Sequence, residues 1–306
     1  MKSLSRIGRL ALPALFAALT LLQPTDARAA DPRVPYVMLQ IEGPGAQSAA
    51  EACMRVWEEQ GERLTDELLP AGVVPDTVVC LVLGNAAFAA NFSHSMPDWG
   101  VGVALPSGRL VALDYSRLPA VGKTVREVFL HEMVHALLFQ AADGVRLPTW
   151  LHEGTAMLYS GEWRFRDTVS LAMDGRVPRL ERLHGPFPSH VIGADRAYRT
   201  SLLAVNRLRD EHGPDVVRRL LAASVRTGDF RSGFYETTGR TLEEFSDRFD
   251  RDMNLKYGWL VMITRWPTLF VLMAVIFAAG AVAKIVRARR RLAEMDDPFE
   301  DPDEEP

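Results

Sequence analysis

The stretch VFLHEMVHALLFQA, residues 128–141, decides how the chain is read. Val128, Phe129, Val134, Leu137 and Leu138 recur at helical spacing, which predicts an amphipathic helix over about Thr124–Ala141. Inside it stands His131-Glu132-Met133-Val134-His135, an HExxH pattern. Positions i and i+4 of a helix share a face, so His131 and His135 can grip one metal ion. Glu132 lies about 100° around the helix from His131. There it sits beside the metal's open position and can accept a proton from a metal-bound water.

Catalytic zinc normally takes three protein ligands, so a third is needed. A histidine six residues past the second would supply it in one common arrangement, but Ala141 stands there. The next candidates lie in WLHEGTA, residues 150–156. A turn around Asp143-Gly144 and Pro148 would fold the following helix, about Leu151–Ser160, back on the first. Glu153 could then face the histidine pair. His152 competes with it, but its neighbouring position points about 100° away, which favours Glu153.

HExxH followed after seventeen intervening residues by Glu153 in a WLxEGxA context resembles the gluzincins, and among them the peptidase MA-like domains of bacterial exported proteins. Further points of likeness are Trp99-Gly100-Val101, Phe129-Leu130, Ala197-Tyr198-Arg199-Thr200-Ser201 and Gly239-Arg240-Thr241-Leu242, so the resemblance spans about residues 36–253. It implies a zincin-like metallopeptidase domain with His131, His135 and Glu153 as zinc ligands and Glu132 as general base. It also implies that Tyr198 stabilises the oxyanion; the other reading of Tyr198 is a core tyrosine between helices. Gluzincins often carry an acid four residues after the third ligand to orient a zinc histidine. Here that residue is Met157, so support must come from elsewhere, Asp114 or a backbone carbonyl being candidates.

Around this motif the chain reads as α+β. Strands are expected over Tyr36–Ile41 and Thr77–Leu83, with a hairpin from Val101–Leu105 and Arg109–Leu113. A helix is expected over Ala46–Leu69, helical turns over Asn85–Phe92, then a loop holding His94, Pro97, Asp98 and Trp99. Arg196–Tyr257 should be mostly helical, broken at Gly213-Pro214 and near Gly228. Strands first and helices afterwards argue against a doubly wound sheet.

The two ends carry addressing signals. Lys2, Arg6 and Arg9 precede an apolar run from Leu10 to Leu22, then small residues around Ala27–Ala30. That is the layout of a secretory signal over residues 1–29, cleaved after Ala29 or Ala30, with an uncleaved anchor as the alternative. Near the other end, Trp266–Ala283 has no charge, and residues 259–264 extend it, so a transmembrane helix is expected over 259–283. Lys284, Arg287, Arg289, Arg290 and Arg291 should hold the following end in the cytoplasm. The basic then acidic tail, 284–306, should be disordered from Glu294 onward. The expected layout is a catalytic domain over 31–256 outside the cytoplasm, anchored by one span.

The composition excludes several classes. With 306 residues, 48% hydrophobic and 24% charged, the chain has enough apolar material for a sizeable core. A net charge of −4 offers no basic surplus for nucleic acid. Cys53 and Cys80 are the two cysteines, and either a disulfide or two buried thiols fits an exported domain. The functional expectation is a membrane-anchored, Zn2+-dependent metallohydrolase acting on a peptide or protein substrate. Its alternative is an inactive or zinc-stabilised scaffold that binds an envelope partner through the same cleft. Glu132 separates them, because a scaffold has no use for a base beside an open metal position.

Overall fold

The computed structural model describes residues 20–22, 32–92, 100–162, 178–188, 190–264 and 266–295. Its sheet runs β1 (Thr20–Leu22), β2 (Val37–Glu42), β3 (Val78–Leu83), β5 (Leu110–Asp114) and β4 (Gly102–Ala104), in that spatial order. The three middle strands are parallel, with Leu39 opposite Cys80 and Cys80 opposite Val111. The two edges are antiparallel: Leu21 pairs with Gln40, and Val103 with Ala112. The expected hairpin is therefore present, turning through Pro106-Ser107-Gly108, with the Gly108 N–H donating to Leu105 O (2.9 Å). Cleavage after Ala29 would remove β1 and leave β2 as an edge.

β3 reads VVCLVL and is buried along nearly its whole length, as a parallel strand covered on both faces must be. Alternation sorts its side chains. Val78, Cys80 and Val82 enter the main core, while Leu81 and Leu83 meet Phe88 and Phe92 of α2 (Asn85–Phe92) on the other face. Both cysteines are free thiols and fully buried, Cys53 on α1 (Ala46–Leu68) and Cys80 on β3. Hydrogen bonding with Cys53, and then burial, holds the Cys80 thiol well above its usual range.

α3 (Val125–Ala142) carries the HExxH pattern and is the central helix of the domain. Thr124 and Glu127 start it with a capping box: Thr124 Oγ1 accepts from the Glu127 N–H (3.2 Å), and Glu127 Oε2 accepts from the Thr124 N–H (2.8 Å). The helix is not amphipathic as expected. Met133, Ala136, Leu137 and Leu138 are all fully buried alongside Phe129 and Val134, because sheet and helices cover it on nearly every side. Trp57 of α1 meets Phe129 edge-on at 6.4 Å and donates its Nε1 proton to Pro35 O (3.1 Å).

Asp143 (φ 43°) and Gly144 (φ 82°), two consecutive left-handed residues, reverse the chain after α3 and lead into α4 (Thr149–Ser160). Trp150 of α4 stacks on Phe245 at 6.1 Å, and Phe245 in turn packs on Phe234 and Phe249. These last come from α7 (Phe230–Thr238) and α8 (Leu242–Thr264), which follow α5 (Val191–His212) and α6 (Val216–Thr227). The expected breaks at Gly213 and Gly228 lie between these helices. Gly154 lets α4 pass close to α5: a Cβ there would lie 2.3 Å from Ser201 O.

The last helix, α9 (Trp266–Met295), contains an apolar segment, Phe270–Leu292, long enough to cross a membrane. It overlaps the expected span of 259–283 over residues 270–283. Residues 259–264 are helical within α8, and helix is again described from Trp266 onward. Alanine, leucine and the basic residues are strong helix formers, and α9 runs on through Lys284–Arg291. Most of the expected signal segment with its expected cleavage site, the expected loop holding His94, Pro97, Asp98 and Trp99, and the tail beyond Met295 lie outside the described residues.

Candidate metal centre

α3 presents His131 and His135 one turn apart, with ring centroids 4.8 Å from each other. The Asp143-Gly144 reversal lays α4 across them, and the second turn of α4 carries Glu153 into the gap. Glu153 Oε2 is 3.3 Å from His131 Nε2 and 3.4 Å from His135 Nε2. Potential ligand atoms of His131, His135 and Glu153 all lie within 4.8 Å of one another. Two imidazoles and a carboxylate, nearly enclosed and converging on one point, form a group that could hold a metal ion.

His152 is not part of this group. Its ring lies on Phe139 at 4.7 Å and is 5.7 Å from that of His135. Burial, and then His135, lower its pKa to about 3, so it is neutral.

Glu162 was not anticipated. Its Oε1 stands 3.3 Å from His131 Nδ1, an ion-pair distance without hydrogen-bond alignment, while its Oε2 accepts from Lys123 Nζ at 3.0 Å. Asp114, the suggested support, is occupied elsewhere: it accepts from Ser116 Oγ (2.7 Å) and the Arg117 N–H (3.3 Å). Gly161 (φ 73°) ends α4, so Glu162 does not continue the helix that carries Glu153.

The charges are strongly coupled. Burial alone would lower the His131 pKa, but Glu162, Glu153 and Glu132 raise it to about 10. Burial opposes ionisation of Glu162, yet His131 and Lys123 hold it near about 2. Glu153 falls well below the carboxylate range because both histidines outweigh its burial. Glu132 moves the other way: burial raises it, and the histidines offset only part of that. Three carboxylates around one imidazole make a place that favours positive charge.

Glu132 sits over β4. A Cβ on Gly102 would lie 2.5 Å from Glu132 Oε1 and 2.7 Å from Val128 Cγ1, so glycine is what lets the strand pass beneath this carboxylate. Tyr198, from α5, has its ring 6.5 Å from that of His131 and 5.2 Å from that of Phe187. Burial, and then Glu153, Glu132 and Glu162, raise its hydroxyl well above the usual range. Two cavities, of about 730 and 630 Å3, meet here, and Gly100, Gly102, His131, Glu132 and Tyr198 line both. Tyr198 thus faces the cleft as well as packing on Phe187.

No family model matches the chain. The uncharacterized protein YhcO of Bacillus subtilis (strain 168) is similar to it. The two are 23% identical over 154 residues, 48% of this chain and 47% of that protein. The chain therefore spans about half the length of the curated relative it matches. That likeness carries no activity with it.

Proposed function

We propose that the chain is a membrane-anchored, zinc-dependent hydrolase of peptide bonds, with a zincin-like catalytic domain outside the cytoplasm. One observation carries the reading. A buried carboxylate that does not belong to the His131-His135-Glu153 group, Glu132, borders that group at the junction of two cavities. A binding scaffold would need the ligands but not this group.

The donor set of two nitrogens and one oxygen suits zinc. Bound there, the ion would supply Lewis acidity and an acidified water at its open position. Glu132 takes up a proton as the carbonyl is attacked and returns it to the departing nitrogen. Tyr198 offers a hydroxyl that keeps its proton, a donor for charge developing on the carbonyl oxygen. Among the described residues β4 is the outer strand of the sheet on the cleft side, and an extended peptide can add to such an edge. Support for the anchor comes from the Phe270–Leu292 segment with its exposed Phe270, Ile276 and Phe277. The basic cluster after Ala283 orients it.

The deciding experiment uses the full chain in detergent, loaded with zinc and assayed on a peptide library. Glu132→Gln should keep fold and metal but lose about 10²–10⁴-fold in turnover. Undiminished turnover in that variant would end the hydrolase reading.

A further inference from the structure

We infer that the site cuts internal peptide bonds, taking a substrate chain that extends away from Glu132 on both sides. The inference rests on the hydrolase reading and adds which bonds are accepted. Water adds across an internal amide: a C–O bond forms, the C–N bond breaks, and a carboxylate and an amine leave.

Glu132 lies at the junction of the two cavities rather than at the end of one. The larger limb continues past Val128, Met157 and Ala194, the smaller past His135, Phe139 and Leu147. Residues of a substrate on either side of the reacting bond therefore have space.

An enzyme that trims ends must hold a terminal ammonium or carboxylate, and bringing such a charge into a cleft without a counter-charge is strongly unfavourable. The charges lining the larger limb, among the described residues, are already engaged within the protein. Glu127 is bonded to Thr124, Asp195 is paired with Arg199 (2.7 Å), and Glu162 is bonded to Lys123 and lies at ion-pair distance from His131. Its cations, Lys123 and Arg199, are the partners of those same acids. In the smaller limb the one cation among the described residues is Arg146, which is exposed on the turn between α3 and α4. A rim charge of this kind favours an acidic side chain only weakly. Among the described residues beside Glu132, the remaining charges are those of the metal-binding group itself.

The test uses the zinc-loaded full chain in detergent. One set of internally quenched peptides is acetylated and amidated, and matched sets have one free end; mass spectrometry locates each cut. Doubly blocked peptides should be cut internally at rates comparable with the free-ended ones. Stepwise release from a free end, or a loss of more than about tenfold on blocking one end, overturns the inference while leaving the hydrolase standing. Dependence on a free carboxylate that vanishes in Arg146→Ala would identify the group that overturned it. Absence of any Glu132-dependent cleavage in all sets removes the hydrolase reading and the inference with it.

Discussion

Nδ1 of His131 faces Glu162 Oε1 at 3.3 Å, on the side of the ring away from Glu153, and Lys123 anchors the same carboxylate at 3.0 Å. A carboxylate behind a ligating histidine fixes the ring's orientation and tautomer and strengthens its metal-facing nitrogen. Glu162→Gln keeps the size and removes the charge. We expect zinc affinity, measured by competition with a chromophoric chelator, to fall about 10–100-fold. Lys123→Ala should give a smaller loss, since it frees Glu162 without discharging it. Unchanged affinity in Glu162→Gln would show that the contact does not tune the metal.

Gly102 gives a prediction that separates chemistry from metal binding. In Gly102→Ala the new methyl would come within 2.5 Å of Glu132 Oε1, so the flexible carboxylate must swing aside. Val128 Cγ1, at 2.7 Å, would also have to give, and no atom of His131, His135 or Glu153 is among the three nearest. Elemental analysis should therefore find full zinc, while turnover falls by about 10²-fold, the scale of a misplaced catalytic group. Parallel loss of metal and activity would mean that the strand, not Glu132, had moved.

Much of this arrangement could be read before the structure, and the failures have physical causes. The β-branched run around Cys80 and the helix around His131 were legible because periodicity reports local structure. The meeting of Glu153 with the histidines was legible because Asp143-Gly144 is a turn pair and the ligand spacing on each helix is fixed. Glu162 was not, since helical arithmetic stops at the left-handed Gly161. The burial of α3 on nearly all sides was hidden because Met133 and Ala136 fit a single-stripe pattern as readily as a central helix. Gly102 looked like any strand glycine; its meaning lies in a strand-to-helix distance that no local pattern encodes. Nor could the strand runs reveal that β2, β3 and β5 pair in parallel, which crossover packing decides.

The proposed topology can be checked with the native cysteines left in place, because Cys53 and Cys80 are fully buried. Val74, 76% exposed, offers one site for a new thiol, and Glu300 in the tail another. In intact cells from which the outer barrier has been removed, Val74→Cys should react with a membrane-impermeant maleimide. Glu300→Cys should react only after permeabilisation, because the basic cluster after Ala283 resists translocation. Labelling of both from outside would overturn the orientation.

Metal binding should also appear as stability, and this can be measured without any substrate. The three proposed ligands come from two helices, α3 and α4, which the metal would tie together across the Asp143-Gly144 reversal. A ligand that binds the folded chain and not the unfolded one stabilises it by RT ln(1 + [L]/Kd), about 2.7 kcal/mol at a hundredfold excess over Kd. Stripping the purified chain with a chelator should lower its Tm, and stoichiometric zinc should restore it. In His135→Ala the same zinc should give little shift, because a third of the donor set is gone. Glu132→Gln should respond as the wild-type chain does, since Glu132 is outside the ligand group. A shift that survives in His135→Ala would place the ion elsewhere. A shift lost in Glu132→Gln would make Glu132 a ligand rather than a base, and the hydrolytic role would then need another carboxylate. Of the acids described near His131, Glu162 alone remains, and it is bound to Lys123 on the far side of the ring.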